Sequence, residues 1–224
     1  MINKGTDILV IGSGLAGAIA ALTAAEENKK VILITKNKTL LSGNTKWAQG
    51  GIAYTNSNDS EKKFMKDISV AGQSHNNDLA VQQLVLEGPK LVESLLINKF
   101  EVPFEKDSSG NLLYTSEAAH STKRIIHCKD QTGLIIHNQV LRKVKNHPNI
   151  KIYRNHTAID LLTYSHHSIN TVDIYKKPAC FGAIILDNLN HEIIKIHSET
   201  IFFIYMLGFV PGHPFMGDLD PKIF

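Results

Sequence analysis

Asp7-Ile8-Leu9-Val10-Ile11-Gly12-Ser13-Gly14-Leu15-Ala16-Gly17 is the stretch that decides the fold of this chain. Ile8 to Ile11 is a continuous apolar run and reads as a buried strand. Glycines follow, and Leu15 to Ala25 is rich in Ala and Leu, a strong helix composition. A second apolar run, Val31-Ile32-Leu33-Ile34, stands at the distance that completes a βαβ unit. In this order each glycine has a task. Gly12 permits the tight turn, Gly14 lets the backbone approach a pyrophosphate, and Gly17 lets the helix lie close on the strand. The N–H groups at the helix start then face the phosphate, with the positive end of the helix dipole behind them.

An ordinary NAD site has an Asp or Glu on the ribose about 20 residues after the glycines. Here the second strand ends in Thr35-Lys36. The pattern therefore favours a nucleotide met by Lys36 or by backbone, although a solvated strand end has the same spacing. The segment Ser42-Gly43-Asn44-Thr45-Lys46-Trp47-Ala48-Gln49-Gly50-Gly51-Ile52-Ala53 comes next. Gly50-Gly51 frees backbone amides to approach a flat ring or a phosphate. Asn44, Thr45 and Gln49 supply directional hydrogen bonds. On composition alone, a polar loop reads the same way.

Taken together, the glycine turn and the run from Asn44 to Ala53 resemble the FAD-binding domain of the L-aspartate oxidases. These are relatives of the succinate dehydrogenase and fumarate reductase flavoproteins. The likeness continues through Ala71-Gly72, Val102-Pro103-Phe104, Glu117 to His120, Arg124-Ile125-Ile126-His127, Asp130-x-Thr132-Gly133 and His147-Pro148-Asn149-Ile150, from residue 6 to about residue 200. The resemblance implies an α/β, FAD/NAD(P)-binding Rossmann-like fold with a central parallel sheet, helices and a small β-meander. FAD contacts fall, by the same resemblance, on Gly12, Ser13, Gly14, Leu15, Ala16 and Gly17, on Lys36, and on Asn44, Thr45, Lys46, Trp47, Ala48, Gln49, Gly50 and Gly51. The dehydrogenase and reductase relatives carry a His at the position of Asn44, where FAD is attached covalently. Asn44 cannot make that bond, so the expected FAD is non-covalent. The implied reaction oxidises L-aspartate to iminoaspartate, with fumarate or oxygen as the electron acceptor. Its product passes to quinolinate synthase for NAD synthesis. A fragment of a fumarate reductase or succinate dehydrogenase type, or an FAD-binding fragment without catalysis, is the alternative.

Glu117, His120 and Arg124 lie within a segment that the resemblance places near the flavin ring and the substrate. Glu117 would accept hydrogen bonds from the amino group of aspartate. His120 and Arg124 would hold a carboxylate, since Arg offers a planar bidentate fork. Two departures from the oxidase pattern touch this region. The oxidases have Gly-Gly between that Glu and His, where this chain has Ala118-Ala119. They also have Gly before Val-Pro-Phe, where this chain has Glu101. If either site needs φ > 0, a Cβ there costs roughly 1 kcal/mol or more.

A third departure concerns the C-terminus. The family continues Ala-Thr-Gly-Gly after the strand near residue 200, whereas this chain reads Ile201-Phe202-Phe203-Ile204-Tyr205-Met206-Leu207-Gly208. The expected organisation is an incomplete FAD-binding domain over residues 1–200 and a divergent tail over 201–224. The capping domain, with the main substrate-binding His and Arg residues, and the C-terminal helices are not represented. A reading-frame change near residue 200 is the expectation this raises, and with it an impaired activity.

Composition agrees with a globular, cytoplasmic chain. Lys and Arg number 24 against 21 Asp and Glu. That net charge of +3 is scattered, with no arginine-rich or aromatic-interleaved stripe, so a nucleic-acid partner is not indicated. Cys128 and Cys180 stand far apart, and the His residues lack metal-ligand spacing, so no metal is expected. No apolar run is long enough for a membrane span.

Further along, Asp59-Ser60-Glu61 reads as the cap of a helix to about Ala71, and Asn77-Asp78 as the start of another. That second helix carries Leu79, Leu86, Leu91, Leu95 and Leu96 on its apolar face, with a break or kink at Gly88-Pro89. Asp107 to Asn111 is turn chemistry. Thr132 caps a helix to about Lys145. Ile150 to Leu161 is one strand, Tyr164 to Asn170 a connector, and Phe181 to Leu186 and Glu192 to His197 form a hairpin.

Overall fold

The computed structural model describes residues 2–177 and 179–203. Strand β1 (Ile2–Ile11), helix α1 (Leu15–Glu26) and strand β2 (Val31–Thr35) form the expected βαβ unit, with the two strands parallel. All five residues of β2 are buried, which is why it reads as unbroken apolar sequence: both of its faces are covered. After a 3₁₀ turn at Asn44–Trp47 come strand β3 (Ile52–Ala53), helix α2 (Glu61–Ala71) and helix α3 (Asp78–Leu91). The Ser60 hydroxyl caps α2 by accepting from the Lys63 N–H, and the Asn77 side chain caps α3 by accepting from the Ala80 N–H.

Pro89 does not break α3. The helix runs through it and widens into a π-helical segment over Val92–Lys99. The change of hydrogen-bonding register follows the proline, where an N–H is missing. The apolar face is also set differently from the expectation: Val85, Val92, Leu96 and Phe100 are buried, while Leu79 and Leu91 are exposed. The π-helical segment stops at Glu101, which takes φ +50, and the Val102 N–H closes on the Leu96 carbonyl at 2.9 Å. This is the left-handed C-cap that glycine prefers.

Strand β4 (Ile125–Ile126) pairs antiparallel with β3, and helix α4 (Thr132–Asn146) follows. The expected strand from Ile150 to Leu161 is two strands, β5 (Ile150–Arg154) and β6 (His156–Thr163). Between them Asn155 takes φ +56, so one left-handed residue turns the chain out of the parallel layer. The expected connector contains a single helical turn, α5 (Tyr164–His167). The hairpin is present as β7 (Cys180–Asp187) and β8 (Glu192–Phe203). The tail beyond residue 203 lies outside the described residues.

The six-stranded sheet has the order β5-β2-β1-β8-β7-β6. Its first four strands are mutually parallel, and β8, β7 and β6 form the antiparallel meander. The α/β class and the meander both agree with the sequence reading. On one face α1 and α4 cover Val10, Val31 and Leu33 with Ala18, Ala21, Leu22, Val140, Leu141 and Val144. Leu9, Ile32 and Ile34 cluster with Ala183, Ile185, Ile194 and Ile196. The meander approaches the end of β2: the Asn155 N–H donates to the Asn37 carbonyl at 3.2 Å, and Asn188 Nδ2 to the Lys36 carbonyl at 3.4 Å. Burial of these two clusters supplies the main driving force, at roughly 25 cal/mol for each Å² of apolar surface removed from water.

Candidate functional site

The glycine turn sits at the C-terminal end of β1, as βαβ geometry requires. Gly12 has φ +111, open to glycine and strained for other residues. A Cβ on Gly17 would lie 2.0 Å from the Gly12 carbonyl oxygen, so α1 rests directly on the turn. Gly14 precedes α1 in extended conformation and provides no side-chain cap. Its missing Cβ would be 3.7 Å from Thr45 Oγ1, an ordinary contact, so the turn is open on that side.

The Asn44–Gly51 segment is tied to two helix N-termini. Thr45 Oγ1 accepts from the Leu15 N–H of α1 at 3.3 Å. The Ala48 carbonyl accepts from the Gly133 N–H of α4 at 2.9 Å, and a Cβ on Gly133 would lie 2.0 Å from the Thr45 carbonyl oxygen. Thr132 is not the helix cap that the sequence suggests; Gln131 holds that position without a side-chain bond. The Thr132 hydroxyl donates instead to the Gly50 carbonyl at 2.7 Å and accepts from the Cys128 N–H at 3.0 Å. Trp47 is 71% exposed and Lys46 Nζ lies 4.5 Å from its ring centroid. Asn44, Ala48, Gln49 and Gly50 are exposed, as is Lys36 at the end of β2.

Of the substrate-side residues, Glu117 reaches this loop. Its Oε1 would be 2.7 Å from a Cβ on Gly50, so the absence of a side chain there lets the carboxylate lie against the loop. Arg124 has another place. It is fully buried, and its fork already holds a carboxylate: Nε and Nη2 donate to Asp59 at 2.6 and 2.9 Å. Nη1 donates to Asp67 at 2.5 Å and lies 2.9 Å from His120 Nδ1, and Nη2 also donates to the Thr122 hydroxyl at 3.0 Å. The guanidinium stands 4.6 Å over the Phe64 ring. An Arg with these donors committed has no fork left for a substrate carboxylate, which corrects the sequence reading of Arg124. It is an anchor between α2 and the segment that carries Glu117 and His120. Sequence reasoning missed Asp59 and Asp67 as its partners.

The electrostatics follow from that anchor. The Arg124 hydrogen bonds hold the Asp59 carboxyl below its usual range, against the opposing effect of burial. Burial raises the Asp67 carboxyl, but the Ser121 N–H, Arg124 and the Ser121 hydroxyl together outweigh it and bring it to about 2. The Cys128 thiol is buried, donates to the Pro103 carbonyl and is pushed up to about 11 by desolvation, which makes it unreactive.

Ala119 adopts φ +67 in the turn between Glu117 and His120. Together with Glu101 at φ +50, it places a Cβ where the oxidase pattern has glycine. Ala119→Gly and Glu101→Gly are each expected to raise stability by about 0.5–1 kcal/mol, relief of left-handed strain exceeding the added unfolded-state entropy. Urea unfolding would read this directly, and a loss of stability in both variants would contradict it.

His137, on α4, is fully buried against the turn and was not flagged by the sequence reading. Burial lowers its pKa from 6.5, and the hydrogen bond to the Ser13 carbonyl only partly opposes this. As pH falls below 6.5 the unfolded chain takes up a proton that the folded chain refuses. Stability is therefore whole above that pH and is lost below it, by up to about 1.4 kcal/mol per unit, until the folded His137 also titrates. Melting curves between pH 7.5 and 5.5 should show the loss in the native chain and not in His137→Gln.

Among the described residues, no group of His, Cys, Asp or Glu is arranged to hold a metal ion. No helix there is long and apolar enough to cross a membrane.

Comparisons with known proteins place most of the chain in one family. The model described as FAD binding domain matches residues 7–202. The L-aspartate oxidase of Clostridium acetobutylicum is 35% identical over 198 residues, covering 88% of this chain and 42% of that protein. L-aspartate oxidase 1 of Ralstonia nicotianae is 39% identical, covering 87% of this chain and 36% of its own length. The chain thus spans well under half of these relatives. In fold it is similar to E. coli quinol fumarate reductase FrdA, with TM-score 0.76, 20% identity, and coverage of 90% of this chain and 32% of that one. A second family model, carboxyltransferase domain, subdomain C and D, matches residues 184–224.

Proposed function

The chain belongs to the FAD binding domain family, and on that premise we propose that it is the N-terminal, FAD-holding part of a cytoplasmic L-aspartate oxidase. FAD is the cofactor that the family indicates. One observation carries the reading furthest: the glycine turn, the Asn44–Gly51 loop and Glu117 converge beside the N-termini of α1 and α4. The turn and the start of α1 would hold the pyrophosphate, Lys36 the adenosine side, and Asn44 to Gly51 the flavin side. The residues present fit the group, because the turn is open over Gly14 and a Cβ there would fill the space.

When bound, FAD supplies the acceptor for the hydride of Cα. The chain's own residues position and select. Glu117 would accept hydrogen bonds from the substrate ammonium, and His120 would stand beside it, braced by Arg124. Asn44 keeps the cofactor non-covalent. Iminoaspartate would be the product, fumarate or oxygen the acceptor of electrons, and quinolinate formation for NAD synthesis the use of the product. The fold neighbours also support a second reading, a fumarate reductase or succinate dehydrogenase type, against which Asn44 stands.

Anaerobic addition of L-aspartate or succinate to the FAD-loaded chain separates the two. Aspartate is expected to perturb or bleach the flavin band while succinate does not. The reverse result would overturn the oxidase reading.

A further inference from the structure

We propose that His137 is a positioning residue that presets the glycine turn for phosphate, acting through the Ser13 carbonyl from 124 positions away in sequence. The inference rests on the FAD-binding reading. His137 Nε2 lies 2.7 Å from that carbonyl oxygen, at the heart of the packing between α1 and α4. A carbonyl only accepts, so Nε2 carries the proton and the neutral ring leaves Nδ1 bare. Nδ1 is buried without a partner. A leucine at this place in the core would avoid that unpaired acceptor. The ring is therefore accounted for by what Nε2 does.

Its effect is on one peptide plane. The Ser13 hydroxyl donates to the Leu40 carbonyl at 2.9 Å, so Ser13 is held at both its side chain and its carbonyl. The Ser13–Gly14 peptide is trans, and a trans peptide points its C=O and N–H in opposite directions. With the carbonyl drawn to His137, the Gly14 N–H is turned to the other side. Among the described residues no acceptor takes it. It stands next to the start of α1, which has no side-chain cap from Gly14. An unpaired N–H beside a helix N-terminus matches a phosphate oxygen. Were this peptide flipped, its carbonyl oxygen would face the anion instead.

The test is flavin-fluorescence titration of the full chain and its His137→Leu and His137→Gln variants, with ADP and adenosine as competitors. His137→Leu should weaken FAD and ADP about tenfold, the scale of one hydrogen bond, and leave adenosine, which has no phosphate, unchanged. His137→Gln offers an amide N–H to the same carbonyl and should recover most of the loss. A His137→Leu chain that binds FAD like wild type overturns the inference alone. So does one that loses adenosine in proportion. Wild-type chain that binds neither FAD nor ADP overturns the FAD-binding reading and this inference with it. If His137→Leu fails to fold, the ring nitrogens of the native chain decide by ¹⁵N NMR. The neutral Nε2–H tautomer at pH 7 is expected, and the Nδ1–H tautomer would contradict it.

Discussion

Replacing Arg124 by methionine is expected to destabilise the chain by about 3–5 kcal/mol, the scale observed when one partner of a buried ion pair is removed. Methionine fills much of the volume and can still lie on Phe64, so packing is largely kept. What is lost is the counter-charge for two carboxylates at once. Asp59 has no exposed side-chain surface and Asp67 very little. Left without the guanidinium, both must be protonated or rehydrated, and either outcome loosens α2 from the segment that carries Glu117. A native domain has only about 5–15 kcal/mol to lose, so Arg124→Met should unfold at much lower urea. Arg124→Lys should also fall, because a lysine cannot make the two-pronged contact with Asp59. Both carboxyls sit below their ordinary 3.8 in the folded chain. The network's contribution is thus complete above that pH and disappears as the solution is acidified toward about 2. An Arg124→Met chain as stable as wild type would show that the anchor is dispensable.

Gly17→Ala is expected to damage the fold and the cofactor site together, whereas Gly14→Ala should damage the site alone. The two glycines are three residues apart and differ in what surrounds them. A methyl at Gly17 would overlap the Gly12 carbonyl oxygen, a backbone atom with no rotamer to change. The helix must move off the turn, at about 1–3 kcal/mol or more by the measure of overpacked cores. A methyl at Gly14 meets only Thr45 Oγ1 at 3.7 Å, and Gly14 already has φ −62, a value any residue adopts. Gly14→Ala should therefore melt close to wild type and still lose FAD, because the methyl stands where a phosphate must approach the backbone. Thermal melts with flavin titration on both variants distinguish the cases. Full FAD binding by Gly14→Ala would place the phosphate elsewhere.

Local chemistry made the βαβ unit, the helix caps at Ser60 and Asn77 and the hairpin legible in the sequence. Each is written in neighbouring residues. The left-handed needs at Glu101 and Ala119 were legible because their side chains stand where the related pattern has glycine. Features that depend on distant partners were not. Arg124 looked like active-site chemistry because it lies among a carboxylate, an imidazole and hydroxyls. Its real partners, Asp59 and Asp67, are 65 and 57 positions away. Thr132 read as a cap because threonine often is one, while its hydroxyl bonds a loop 82 positions distant. Asn155 divides what reads as one strand, because a single left-handed residue leaves almost no trace in hydrophobic pattern. His137 carried no signal at all, being one of eleven scattered histidines.

The most direct measurement is the absorbance spectrum of the purified chain after incubation with FAD and desalting, followed by acid precipitation. A flavin band that stays with the protein and passes into the supernatant on precipitation is the predicted result: FAD held by the turn and the Asn44–Gly51 loop, with no covalent bond. Folded protein that retains no flavin, or flavin that stays in the acid pellet, would contradict the account.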